Sequence, residues 1–195
     1  MLIALTGGSG CGKSIVARAA EDLGCAVIYT DRIGHSIILR GNSAYNEIAE
    51  FFGNGILKAD GEIDRKKLGA VVFCNKEKLD ILNKITHNKI IEEIQRLLQT
   101  PSSKLKTVID GAVLHQTPLL AECDTVIAVS CDTDKRISRI TARDGITEEA
   151  AKKRIASQLT DKQYRTLADI VIDNNGSEAE LYDKAREVIH NIGKE

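Results

Sequence analysis

The chain has 195 residues, with 27 Lys or Arg against 28 Asp or Glu, so its formal net charge is −1. That balance argues against the basic coat of a dedicated nucleic-acid or anionic-membrane binder, while 43% hydrophobic and 28% charged residues exclude disorder. With 4% aromatics and no Trp, the core has to be aliphatic.

No apolar run approaches the roughly 18 residues that span a bilayer. Met1 to Leu5 lacks a basic flank and runs straight into glycines, so it does not read as a signal peptide. Five cysteines, at 11, 25, 74, 123 and 131, form no C-x-x-C pair. Scattered free thiols of this kind fit a reducing compartment better than a disulfide framework or zinc site. The expectation is a single-domain, soluble, cytoplasmic protein that binds neither nucleic acid nor membrane. The oligomeric state is left open.

In chain order, Leu2–Thr6 is a short apolar strand ended by Gly7-Gly8. Helical spacing follows through Ile15, Val16, Ala19, Ala20 and Leu23, with Gly24 at its C-terminal boundary. Ala26–Tyr29 predicts a second strand. The residues up to 106 then read almost wholly as helix. Their clearest element starts at the N-cap Asn75, aligns Leu79, Leu82, Ile85, Ile90, Ile94 and Leu97, and stops before Pro101. Further strands are predicted at 107–110, 125–131 and 170–173, two Lys- and Arg-rich helices over 133–160, and a last helix opened by the capping box Ser177-Glu178-Ala179-Glu180. Fully apolar strands alternating with helices predict a parallel sheet covered on both faces.

Gly7-Gly8-Ser9-Gly10-Cys11-Gly12-Lys13-Ser14 satisfies G-x-x-x-x-G-K-[ST] between a strand and a helix, as the motif requires. Glycines let successive amides turn toward phosphate oxygens, and the helix N-terminus adds its positive end. Lys13 suits the β- and γ-phosphates of ATP, and the Ser14 hydroxyl suits Mg²⁺. A guanine reader N-K-x-D is missing, since Asn75-Lys76 and Asn83-Lys84 are followed by other residues. A small-molecule kinase with a helical substrate lobe and a lid remains. Ligands of parallel sheets bind beyond the carboxyl ends of the strands. Asp31 follows strand two and Asp110 ends strand three, so either can face the γ-phosphate, as base or beside Mg²⁺. For Asp31, capping of the next helix is the competing reading.

Several strings together resemble the dephospho-CoA kinase family. They are Leu5-Thr6-Gly7-Gly8 with Gly10-x-Gly12-Lys13-Ser14, Gly24 through Val27-Ile28 to Asp31, Phe52-Gly53, Asp60 to Leu68, Leu82 through His87 to Ile90, Arg139-x-x-x-Arg143-Asp144, Arg154 to Gln158, and Ala168-Asp169-x-Val171-Ile172-Asp173-Asn174. The match runs from residue 2 to about 180. It implies an α/β, three-layer P-loop kinase fold with a five-stranded parallel sheet. Within the single domain, 1–31, 105–131 and 165–195 would be the nucleotide-binding core, 32–104 the helical substrate lobe and 132–164 the lid.

The implied reaction moves the γ-phosphoryl group of ATP to the ribose 3′-hydroxyl of dephospho-CoA, giving coenzyme A. By the resemblance Asp31 faces that hydroxyl and Lys13 acts on the donor. Gly8, Ser9, Gly10, Cys11, Gly12, Lys13, Ser14 and Ile15, with Arg139 and Arg143 of the lid, hold the nucleotide. Arg65 and His87 are the acceptor-binding candidates; a surface charge and a half-buried helix histidine are their bland alternatives. The sequence departs from the family's Asp-Ala-Asp at Tyr29-Thr30-Asp31, from a Thr at Ile15, from Pro-Leu-Leu-Phe-Glu at Ala112-Val113-Leu114-His115-Gln116, and from a proline at Asn88. A kinase for another nucleotide or metabolite, or an impaired nucleotide-binding regulator, stay open as alternatives.

Overall fold

A computed structural model describes residues 1–100, 104–112 and 114–194 of the chain. It divides into two compact units, Met1–Ile28 with Ser102–Glu195, and Tyr29–Pro101.

The first unit is built on five parallel strands in the order β2-β3-β1-β4-β5. They are β1 (Leu2–Thr6), β2 (Ala26–Tyr29, whose last residue belongs to the second unit), β3 (Thr107–Asp110), β4 (Thr125–Ser130) and β5 (Ile170–Asp173). In register, Leu5 pairs with Asp110 on one side and with Ile127 on the other. Successive residues of a strand face opposite sides. Ile3 to Thr6 and Val126 to Ser130 are buried without a break, so both faces of the central strands are covered. This is why the strands read as apolar runs rather than as alternation. The connections leave β1 toward β2 and β3 on one side and β4 and β5 on the other. That divergence sets a crevice at its carboxyl end.

Helix α1 (Lys13–Asp22) buries Val16, Ala17, Ala19 and Ala20. It ends as expected: Leu23 is the cap, and Gly24, at φ +81°, donates its amide to the Glu21 carbonyl at 2.8 Å. Past β4, the chain forms one helix more than the two expected over 133–160. With the intervening helices numbered as they appear in the second unit, these are α6 (Thr133–Asp144), α7 (Glu148–Ala156) and α8 (Asp161–Leu167). Helix α8 is seven residues long and fully buries only Tyr164, too little for a readable period. Its capping box, Thr160 with Gln163, was the available signal. Arg165 of α8 donates to Asp161 at 2.7 Å and to Ser130 at 2.9 Å, and pairs with Asp173, tying the helix to the ends of β4 and β5. Burial pushes the Asp161 carboxyl up, but hydrogen bonds from Ser130 and Arg165 outweigh it and hold the group below its usual range. The final helix, α9 (Glu178–Asn191), carries the predicted capping box and packs along α1 through Leu181, Ala185 and Ile189.

The second unit contains α2 (Thr30–Ser36), α3 (Tyr45–Phe52), α4 (Arg65–Phe73) and α5 (Lys76–Gln99). It is less uniformly helical than its sequence reads. The chain turns at Gly61, φ +84°, between Leu57 and Ile63, which pair as an antiparallel bridge. The string from Asp60 to Asp64 closes this turn and then caps α4, Asp64 accepting from the amides of Lys66 and Lys67. Asn75 caps α5 as predicted, accepting from the Lys78 amide at 3.0 Å. On the predicted apolar face of α5, Ile94 is fully buried and Leu97 is 36% exposed. Pro101, placed by the sequence after this helix, lies outside the described residues, as does Val113.

Candidate active site

The loop from Gly7 to Gly12 joins β1 to α1 at the carboxyl end of the central strand. Gly7 has φ +138°, and a Cβ there would stand 2.5 Å from the Val129 carbonyl of β4. Backbone faces backbone at that point, so nothing flexible can yield. Gly7→Ala is expected to destabilise the chain by about 2–3 kcal/mol, lowering the thermal midpoint by roughly 4–12 °C. An unchanged midpoint in a thermal melt would show that the loop can move away from β4.

The loop spends some of its amides internally. Cys11 donates to the Gly8 carbonyl at 3.2 Å, and Ile15 to the Gly12 carbonyl at 3.0 Å. The Ser9 amide goes to Oε1 of Gln158 at 2.8 Å. The amides of Gly10, Gly12, Lys13 and Ser14 make no hydrogen bond among the described residues. Four unspent donors at a helix N-terminus make an anion site, and their spacing suits a phosphate chain. Lys13 Nζ donates to the Gly7 carbonyl at 2.8 Å, so the ammonium already lies across the loop.

Three side chains hold the loop from behind. Arg136 of α6 donates from Nε to the Ser9 carbonyl at 2.9 Å, Gln158 donates to Ser9 Oγ at 2.9 Å, and Asn174, just after β5, donates to the Cys11 carbonyl at 2.8 Å. None of the three is among the predicted site residues. Gln158 and Asn174 stand in strings that carried the family resemblance, which was the signal for them. Arg136 falls four residues before Ile140, on the buried stripe of α6, where a charge is out of place. Arg139 does reach the loop, but through longer contacts: 3.3 Å to the Gly10 carbonyl, 3.4 Å to Cys131 Sγ and to Asn174 Oδ1. Arg143 does not reach it. Its exposed guanidinium donates to Asp144 at 2.7 Å, and with Arg154 it drives the Asp144 carboxyl down to about 2. Cys11 is 2% exposed, and burial raises its thiol against the pull of Arg136 and Lys13, so it is packing rather than a reactive thiolate.

Asp110 closes β3 beside Leu5, two residues ahead of the loop. In the second unit, Asp31 occupies the first turn of α2. The N-cap position belongs to Tyr29, and Asp31 makes no capping bond, so the capping alternative for it falls away. It is exposed, without a hydrogen bond or ion pair among the described residues. Tyr29, at the family's missing first carboxylate, stacks beneath the Arg32 guanidinium at 4.1 Å. Arg65 donates to the His35 carbonyl at 3.3 Å.

His87 is half-buried on α5, and burial lowers its imidazole below the usual 6.5. The unfolded chain therefore takes up this proton at a higher pH than the folded one. Stability is complete above about pH 6.5 and declines as pH falls toward the depressed value. In thermal melts between about pH 7.5 and 5.5, His87→Gln should lose less stability than the unmodified chain; equal slopes would remove His87 as the cause.

A metal held by protein alone is not built here. Among the described residues no three His, Cys, Asp or Glu cluster suitably. The Ser14 hydroxyl, exposed in the first turn of α1, fits a cation shared with bound phosphates instead.

The model of the family described as dephospho-CoA kinase matches residues 1–180. The chain belongs to that family. A dephospho-CoA kinase from Carboxydothermus hydrogenoformans is 39% identical over 90% of this chain and 86% of its own length. Among solved structures, the dephospho-CoA kinase from Campylobacter jejuni superposes with a TM-score of 0.69 at 31% identity, covering 99% of this chain and 97% of its own. A Thermus thermophilus crystal structure reaches a TM-score of 0.84 at 22% identity over 98% and 97% of the two chains, a likeness of fold alone.

Proposed function

We infer that the chain transfers the γ-phosphoryl group of ATP to the ribose 3′-hydroxyl of dephospho-CoA, releasing ADP and coenzyme A. The observation that carries this reading is a formed phosphate loop with four unspent amides, in a chain that matches the dephospho-CoA kinase family over residues 1–180.

In this reading the amides of Gly10, Gly12, Lys13 and Ser14 receive the phosphate oxygens, and Lys13 leaves the Gly7 carbonyl for the β- and γ-phosphates. The bond from the γ-phosphorus to the β–γ bridging oxygen breaks as a bond to the acceptor oxygen forms, and the hydroxyl proton passes to the Asp31 carboxylate. Such a transfer depends mainly on positioning and charge neutralisation. When bound, Mg²⁺ supplies additional neutralisation of the phosphate oxygens. Ser14 would hold it, with Asp31 or Asp110 as the candidate carboxylate. Arg139, held only by long contacts, can exchange partners when the nucleotide arrives. Arg143 does so by leaving Asp144. Residues 132–164 act as the lid, and the unit of residues 29–101 receives the acceptor through Arg65 and His87. In this reading the chain acts on dissolved substrates in the cytoplasm; no helix among the described residues is long and apolar enough to cross a membrane.

The test is mass spectrometry of a reaction holding purified chain, ATP, Mg²⁺ and dephospho-CoA. Coenzyme A and ADP in equal amounts are expected. Product from another acceptor in a panel of nucleotides and metabolites, but none from dephospho-CoA, would move the reading to a different kinase. ATP binding with no product from any acceptor would leave a nucleotide-binding regulator.

A further inference from the structure

Arg136 is 3% exposed, and a guanidinium keeps its charge at any accessible pH. A buried charge normally needs an opposite charge beside it. Arg136 forms no contact ion pair among the described residues; the Asp161 carboxylate acts on it only through space, its hydrogen bonds going to Ser130 and Arg165. Its two partners are neutral: the Ser9 carbonyl at 2.9 Å and Oε1 of Gln158 at 3.3 Å. The guanidinium lies so close against Gly8 that a Cβ there would stand 2.3 Å from its Nη2.

Gln158 completes the arrangement. The oxygen that faces Arg136 also accepts the Ser9 amide, and the amide nitrogen donates to Ser9 Oγ. The polar groups of Ser9 are thereby all engaged. Its carbonyl is held by Arg136, its amide and hydroxyl by Gln158. The run of unspent amides at the helix N-terminus, Gly10, Gly12, Lys13 and Ser14, follows directly after Ser9.

We propose that Arg136 is a positioning residue for the phosphate loop: through Ser9 and Gln158 it sets the loop before nucleotide arrives, and its charge, met by no contact ion pair among the described residues, favours the longer phosphate chain of ATP over that of ADP. Prior ordering lowers the cost of binding, and a cation behind the loop acts on whichever ligand carries more negative charge in front of it. The proposal deepens the kinase reading and rests on it for turnover, but not for nucleotide affinity.

Two variants test it, since Arg136→Gln removes a buried side chain and can affect folding. Gln158→Glu keeps the shape and places a carboxylate against the guanidinium. Titration calorimetry with ATP and with ADP, without acceptor, is expected to show ATP affinity at least tenfold weaker in each variant, with ADP affected less. In turnover, KM for ATP should rise while KM for dephospho-CoA stays within about twofold. Arg136→Lys, which keeps the charge and loses the fork, should lie between Arg136→Gln and the unmodified chain. Arg136→Gln combined with Gln158→Ala should cost no more than the worse single change, because both act on one peptide group. A purely structural role would lower the melting temperature and disturb both substrates alike, and that result overturns the proposal. So does ATP affinity within twofold of the unmodified chain in Gln158→Glu. If the unmodified chain binds ATP yet makes no coenzyme A, the acceptor reading fails while the titrations still decide on Arg136. If it makes coenzyme A and the variants bind ATP normally, only the proposal fails.

Discussion

Replacing Asp31 by asparagine is expected to lower turnover on dephospho-CoA by about 10²–10⁴-fold, the usual contribution of a positioned base. The change should leave the fold alone, because Asp31 is exposed and has no hydrogen bond or ion pair to lose among the described residues. It should also leave ATP affinity alone, because the phosphate loop draws on other residues. The effect would then appear in kcat, with KM for ATP within about twofold. The family's usual pair of carboxylates at this point is reduced to one, with Tyr29 stacked under Arg32 in place of the other. A rate within twofold of the unmodified chain would remove Asp31 from the chemistry and turn attention to Asp110 at the end of β3.

Lys13→Ala is expected to cut transfer by about 10²–10³-fold, as loss of one preorganised donor to developing charge does elsewhere. It differs from the Asp31 change in kind. Lys13 stands at the donor end, already lying across the loop on the Gly7 carbonyl. Its loss should therefore slow transfer to every acceptor and also slow the background hydrolysis of ATP measured with no acceptor present. Asp31→Asn should leave that hydrolysis in place. If Lys13→Ala hydrolyses ATP at the unmodified rate, the lysine does not act on the phosphates.

Local chemistry carried much of the fold. Five apolar runs became five parallel strands, and in the central β1 and β4 burial on both faces leaves no polar alternation. Gly24, Asn75 and Ser177 marked helix ends through hydrogen bonds made within a few residues, which a sequence can display. Helix α8 escaped because it fully buries a single side chain, and its anchor at Ser130 is 35 residues from Arg165. The middle segment read as more helical than it is. The turn at Gly61 is closed in part by Arg40, whose guanidinium donates to the Asp60 carbonyl at 3.2 Å from twenty positions away.

Returning to the phosphate site, its front was determined by the sequence alone. The glycines, Lys13 and Ser14 are contiguous, and backbone geometry over eight residues is a local matter. The back was decided only by the tertiary structure. Arg136, Gln158 and Asn174 come from three separate segments, more than a hundred residues from the loop, and meet it because β4 lies beside β1 and β5 beside β4 in the sheet. Arg139 and Arg143 looked equivalent as two arginines one turn apart, yet one reaches the loop and the other turns to Asp144. The net charge of −1 concealed all of this, since a sum over the chain cannot register one guanidinium buried behind a loop.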